Sequence, residues 1–578
     1  MRTMDIGALS DRLVRMRDAV RSGDHRRWRQ ASAPDVLSEC EAEGLSWSRR
    51  AARLTRRMCE AELPIIGDAE RIVFTRTVPV VPPIYTDEEK TRLMAGHALH
   101  ELGPISNICA DWSMVLSQGL LGRRAVALES RARLAQDAEA VEFLDSAVET
   151  IDAVLDLAAR YADAAAFQGW DDLAQILRRV PAQVPRTFHE ALQALRLLHS
   201  VLWLSGHYHV GLGRLDQVLW PYLQADLAAG LETTESAEEL LAEFFISLNR
   251  DNDLYPGVQQ GDNGQSLTVG GVARDGTCGV NPLTWMVLRV GLRTSMIDPK
   301  INLRIDPDTD PNLLYLATLM TRKGLGFPQY SNDAVVIPAL ASHGYSIEDA
   351  RNYTVAACWE FTIPGKGMEI VNIGAVSFPA AVDHGLHTAL SGGGSFESVL
   401  AATCEHIERQ VAERVASYQD LFLEPGPFYS VLMDGCLERG RDLSAGLDYN
   451  NYGIHGAASS DAADALAAVR MLVFDEQRLT GSELLAALDS DFADAEVLRK
   501  YLVSRGPKVG NNDDRADDLL TWLFDTFAAA CESIQDNGRG GRVRPGTGSA
   551  MYYLWLAQGR GGMREPVVGA TADGRHRG

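Results

Sequence analysis

Residues 5–60 alternate Leu, Val and Met with Arg, Asp and Glu at helical spacing, and 86–240 read mostly the same way. Two long examples are Val141-Glu142-Phe143-Leu144 running to Ala158-Ala159, and Ala191-Leu192-Gln193-Ala194-Leu195-Arg196-Leu197-Leu198. After 250 the texture changes. Ser266-Leu267-Thr268-Val269-Gly270-Gly271-Val272 mixes β-branched residues with closing glycines and predicts a strand and turn, as does Leu303-Arg304-Ile305. A helix is predicted over 310–323, a loop over Gly324-Leu325-Gly326-Phe327-Pro328, and another helix near 334–341. Ile363-Pro364-Gly365-Lys366-Gly367 is a loop by composition. Helical periodicity returns over 396–440 and 459–536, and 537–578 is Gly- and Arg-rich and reads as irregular. No internal repeat is present, and Ser391-Gly392-Gly393-Gly394-Ser395 is short enough for a surface loop. Helices alternating with short strands over this length predict an α/β barrel with its helices outside.

Composition narrows the partners. The chain has 578 residues, 46% hydrophobic and 23% charged, with a net charge of −23. Such a charge disfavours nucleic acid or an anionic membrane as the main partner and fits a solvated acidic surface. No apolar run long enough to cross a bilayer occurs, and the N-terminus lacks a secretion signal. The 8 cysteines are scattered without any C-x-x-C pair, so no zinc or iron–sulfur spacing exists. A reduced, cytoplasmic protein is expected. Arginine far exceeds lysine and alanine is abundant, as in proteins from GC-rich genomes.

The segment Ala356-Ala357-Cys358-Trp359-Glu360 changes the picture most. A thiol can give up a hydrogen atom and take it back, and a carboxylate two residues on can move a proton of the same substrate. On extended backbone, side chains at that spacing face the same way. The following Gly/Pro-rich stretch places Cys358 on a short loop or strand end. The other cysteines, at 40, 59, 109, 278, 404, 436 and 531, read as small buried hydrophobes. Arg214 and Asp216 read as a structural pair.

Further blocks occur in a fixed order. They are Gly211-Leu212-Gly213-Arg214-Leu215-Asp216-Gln217 with Pro221-Tyr222, Gln265-Ser266-Leu267-Thr268-Val269-Gly270-Gly271, and Gly326-Phe327-Pro328 with Asn332-Asp333. Then come Cys358-Trp359-Glu360, Asn451-Tyr452-Gly453-Ile454, Gly510-Asn511-Asn512-Asp513 and Gly569-Ala570-Thr571-Ala572-Asp573-Gly574-Arg575. In this order the chain resembles the glycyl radical enzyme superfamily, which includes pyruvate formate-lyase and the radical diol dehydratases. The resemblance implies a ten-stranded α/β barrel of two antiparallel halves, with the catalytic cysteine on a loop in the lumen. It is read here as one domain, 1–578, with a mainly helical part over 1–250, the barrel core with the cysteine loop over 251–536 and the tail over 537–578.

It also implies a radical lyase or dehydratase in which a Cys358 thiyl radical takes hydrogen from a small polar substrate and Glu360 is the general base. Asn332, Asp333, Tyr452 and His455 would line the barrel. Where diol dehydratases carry an aspartate after the cysteine, this chain offers Glu369 or Asn372, which disfavours a simple glycerol or propanediol substrate. Cys358 has no cysteine neighbour, unlike pyruvate formate-lyase. The chain stops at Gly578, directly after the G-A-T-A-D-G-R block, where the family continues to an R-V-x-G-Y motif bearing the radical glycine. Arg542-Val543-Arg544-Pro545-Gly546 lies upstream of that block and places a proline before its glycine, so it is a poor match. The radical is therefore expected from a small partner subunit carrying a glycyl radical, or from adenosylcobalamin, which a GC-rich aerobic host would favour. A homo- or hetero-oligomer is expected, with no metal-ligand motif. Alternatives are a radical decarboxylase or C–C lyase of the same fold, a chain truncated before its last domain, and, in another class, a non-catalytic scaffold paralogue.

Overall fold

The computed structural model describes residues 6–96, 104–254, 264–357, 360–368, 370–417, 421–547, 558–559, 562–563 and 569–577. The chain, read from its sequence as one domain, gathers into two compact units. One comprises Met1–Thr91, Gly103–Glu369 and Leu423–Tyr449; the other comprises Arg92–Leu102, Ile370–Phe422 and Asn450–Gly578.

The first unit pairs a helical layer with a parallel sheet. The helix Ala138–Phe167 is capped by the Asp137 side chain and buries Phe143, Leu144, Ala147, Ile151, Val154, Leu157 and Tyr161, a stripe at the three- and four-residue spacing of one helical face. It packs against the helix Trp47–Ala61. In the helix Phe188–Leu204 every residue except His189 is buried, so this segment forms the unit's centre rather than its surface. The sheet contains β1 (Ser266–Gly270), β2 (Lys300–Ile305) and β3 (Gln329–Asn332), all parallel and adjacent in that order. Parallel neighbours need crossovers. The helices Pro282–Thr294 and Pro311–Arg322 supply them, each with proline in its first turn and a capping side chain, Asn281 or Asp310. The expected strands and the helix over 310–323 are in place; β3, four residues between the expected loop at 324–328 and the helix near 334–341, is an addition.

The second unit holds β6 (Ile370–Ser377), β7 (Tyr452–Ala457) and β8 (Val543–Thr547), again parallel. Helices Phe378–Leu390, Phe396–Ala416, Ser459–Val469 and Asp514–Glu532 pack around a core in which Phe378 meets Phe524 and Phe527 edge-on, at 5.4 and 5.5 Å between ring centres. Thus a strand lies within 537–578, where the sequence reads as irregular: Val543 to Thr547 gains its ladder from β7, not from its own propensity. Among the described residues no helix is long and apolar enough to cross a membrane.

Candidate active site

The first unit's sheet carries a short hairpin on its first strand. β4 (Thr354–Ala356) and β5 (Glu360–Thr362) pair antiparallel with Ala356 opposite Glu360, leaving residues 357–359 as the connection. Cys358 and Trp359 lie outside the described residues. Ala357 is described: it is buried with φ 53°, a left-handed conformation that costs a residue with a Cβ about 1–2 kcal/mol. Hydroxyls of β1 hold it there. Ser266 Oγ donates to the Ala357 carbonyl at 2.7 Å, while Thr268 Oγ1 accepts from Thr354 Oγ1 at 2.8 Å and from the Val355 N–H at 3.1 Å. The alternating polar positions of β1 thus fix the register of the hairpin. Glu360 opens β5 and is half-buried.

His209 and Asn107, which the motif reading passes over, pack beside the same turn. Both are buried and both are left-handed, at φ 51° and 62°. His209 Nδ1 lies within hydrogen-bond distance, 2.6 Å, of the Asn107 side-chain amide. Position 264 must be glycine: a Cβ there would stand 2.4 Å from His209 Cδ2 and 3.0 Å from the Ala357 Cα. The sequence signal was a histidine two residues before Gly211, in a segment read only for its glycines and arginine.

A buried ionic clamp holds the strand leading into the hairpin. Arg304 on β2 donates to both oxygens of Asp333, at 2.8 and 2.9 Å, and to the carbonyls of Arg351 and Tyr353, at 2.8 and 3.1 Å. Its guanidinium lies 3.9 Å above the Tyr353 ring centre. Asp333 also accepts from the Tyr353 hydroxyl and from the Val272 N–H, each at 2.7 Å. Four donors thus occupy this carboxylate, and Tyr353 directly precedes β4. Burial pushes the Tyr353 phenol up, out of the range in which it could ionise. Arg214 and Asp216 act as a structural pair through a shared target: Arg214 donates to the Gly270 carbonyl at 2.7 Å, and Asp216 accepts from the Gly270 N–H at 2.8 Å. Burial, followed by the nearby Arg304 charge, lowers Arg214 to about 10, which still leaves it cationic at neutral pH. Behind the hairpin, Lys366 and the Tyr449 hydroxyl meet Asp349 at 3.1 and 2.8 Å and pin the following loop.

The remaining expected site residues fall in both units. Asn332 is exposed and caps the helix Asp333–Ser342 by accepting from the Ala334 N–H. Glu369 lies outside the described residues, and of Asn372 only the backbone, in β6, is described. In the second unit Tyr452 is buried in β7, and His455 Nδ1 donates to the Thr547 carbonyl at 2.9 Å. Of the other cysteines, 40, 59, 109, 436 and 531 are buried as expected, but Cys278 is exposed and Cys404 half-exposed. Burial raises the Cys531 thiol to about 12 and Cys109 and Cys436 well above their usual range, which keeps them protonated. Among the described residues no cluster of metal-ligating side chains occurs.

The chain belongs to the pyruvate formate lyase-like family, whose profile matches residues 79–556. It is 31% identical over 412 residues to (2S)-3-sulfopropanediol dehydratase of Klebsiella oxytoca, covering 66% of this chain and 49% of that one. Trans-4-hydroxy-L-proline dehydratase of Clostridioides difficile is 27% identical over 379 residues, covering 60% and 48%. The chain therefore spans about half the length of these curated relatives. Among solved structures, the glycerol-bound B12-independent glycerol dehydratase of Clostridium butyricum superposes with a TM-score of 0.82 at 22% identity, covering all of this chain (100%) and 84% of that one. The fold is thereby the α/β fold of these barrel enzymes. The B12 independence of that protein lends no support to adenosylcobalamin as the radical source.

Proposed function

We propose that this chain is the catalytic barrel of a radical lyase, most simply a dehydratase, acting on a small polar molecule in a reducing compartment. The observation that carries this reading is the hairpin: β1 hydroxyls and the Arg304–Asp333 clamp fix two strands around the connection that contains Cys358, with Glu360 at its exit. Family membership and the dehydratase names of the two relatives support it. The ten-stranded barrel of two antiparallel halves belongs to the same reading.

In this mechanism Cys358 gives up its thiol hydrogen atom to a glycyl radical, which a partner subunit would supply, and is left as a thiyl radical. The thiyl removes a hydrogen atom from a substrate carbon that bears a hydroxyl. Glu360 accepts the hydroxyl proton, and the neighbouring C–O bond breaks with its electron pair leaving on oxygen. Dehydration is proton-neutral once that proton returns to the departing oxygen as water. The product radical then recovers a hydrogen atom from Cys358. Glu369 and Asn372 are the candidate contacts for the substrate's polar groups. Asn332 and Asp333 enter as positioning residues because a helix cap and the clamp already occupy them.

The test is anaerobic activation of the full protein, with electron paramagnetic resonance for an organic radical and mass spectrometry for loss of water from candidate diols and hydroxy acids. Cys358→Ala should abolish turnover, and Glu360→Gln should slow it by about 10²–10⁴-fold, the range of general-base catalysis. Unchanged turnover in Cys358→Ala would overturn the mechanism.

A further inference from the structure

Among the described residues of the second unit, Tyr452 and Arg539 each hold a donor without a partner. Tyr452 opens β7 and is 1% exposed, and its hydroxyl has no hydrogen-bond partner. The Nε of Arg539, in the loop that feeds β8, is buried and unpartnered as well. The loop of Arg539 adjoins the start of β7, where the Asn537 amide meets the Asn450 carbonyl. Tyr452 pairs with Val543 in the β7–β8 register, and while burial raises the phenol's pKa, the Arg539 charge acts on it in the opposite direction.

The loop presenting Arg539 is tightly tied. Asp536 accepts from the Gly538 and Gly540 N–H groups at 2.8 and 3.1 Å, and Asn537 accepts from the Arg539 and Gly541 N–H groups at 3.0 and 3.2 Å. The Asn537 amide donates to the Asn450 carbonyl at 2.7 Å, and Asn451 accepts from the Arg542 N–H at 2.9 Å. No side chain fits at 541, where a Cβ would stand 1.8 Å from the Asn450 carbonyl oxygen. The loop that carries Arg539 is therefore fixed against Asn450 and Asn451, directly before Tyr452.

A buried donor left unsatisfied costs about 1–3 kcal/mol. A ligand oxygen accepting from each donor would remove both costs, and a negative charge on the ligand would complement the guanidinium. We infer that Tyr452 and Arg539 form a receiving site for an oxyanion, the carboxylate or sulfonate of a small molecule. The phenol O–H and the guanidinium Nε–H donate to two oxygens of the same group. Neutral molecules of the same shape lack the charge that the site complements.

The site is read in the resting full-length protein, without radical activation, so its failure is separate from failure of the radical mechanism. Acetate and methanesulfonate are titrated calorimetrically, with acetamide and dimethyl sulfone as neutral counterparts. At least one anion should bind, about tenfold or more tighter than its neutral counterpart, and the preferred anion identifies the oxyanion type. Arg539→Gln, on a loop side chain that is partly exposed, and Tyr452→Phe should each weaken that binding about tenfold without lowering the melting temperature. Should Tyr452→Phe fail to fold, Arg539→Gln decides alone. Absence of anion binding, as for donors that hold water only, or equal binding in Arg539→Gln, would overturn the inference.

Discussion

Two parallel sheets, one in each unit, are fastened by opposite means. At β1–β3 the fastening is buried charge: Arg304 and Asp333 pair with each other, and Arg214 and Asp216 grip the two backbone groups of Gly270. At β6–β8 it is mostly neutral amide. The Gln410 side chain accepts from the Ser377 N–H at 2.9 Å and donates to its carbonyl at 3.1 Å, and Asn451 and Asn537 tie the entry to β8. Charges in a low-dielectric interior are costly unless they are paired and hydrogen-bonded; Asp333 meets four donors, while Arg214 Nε and Asp216 Oδ1 keep no partner of their own. The second sheet commits its neutral amides to structure and leaves Tyr452 and Arg539 with donors to offer.

The sharpest way to break this comparison is to strand a charge. Arg304→Met leaves Asp333 buried without its cation and should cost about 3–5 kcal/mol in denaturant unfolding. Arg304→Met combined with Asp333→Leu should recover much of that loss, because the deficit lies in the unpaired carboxylate. A single variant as stable as the parent would show that the clamp is not the fastening.

A carboxylate in the first unit that has no cation gives the next effect. Glu424 is buried with the Tyr85 hydroxyl donating to it, and burial raises its pKa to about 7 from 4.5. The folded state thus holds a proton that the unfolded state releases. Stability from this group is fully present below pH 4.5 and is lost as pH rises towards 7, up to about 3 kcal/mol in all. Glu424→Gln, which is neutral throughout, should flatten that part of the pH–stability curve; an unchanged slope would assign it to other groups.

The smallest effect should come from the amide side. Gln410→Ala removes two hydrogen bonds to Ser377 and should cost about 1–3 kcal/mol, the price of leaving buried backbone groups unmet, without any pH dependence. A loss matching that of Arg304→Met would erase the distinction between the sheets.

Much of the frame was legible. The strand at 266–270 and the helices at 311–322 and 333–342 follow from periodicity, caps and flanking glycines. β8 was hidden because Arg544, Pro545 and Gly546 are poor strand formers; Pro545, opposite Ile454, sits in a strand with one partner, β7, among the described residues. Asp333 looked like a free ligand because its partner is 29 residues away in sequence. Parallel pairing of Ile305 with Asn332 closes that distance. His209 was passed over because nothing local marks a histidine that the fold brings beside Gly264.

The sequence by itself determined the family, through an ordered series of short motifs, and singled out Cys358 and Glu360, because their chemistry depends on residue type and spacing. Only the tertiary structure decided which carboxylate is spent on a clamp, which histidine abuts the Ala357 turn and which donors remain open. Those outcomes depend on burial and on pairing between residues far apart in the chain, and local pattern carries information about neither.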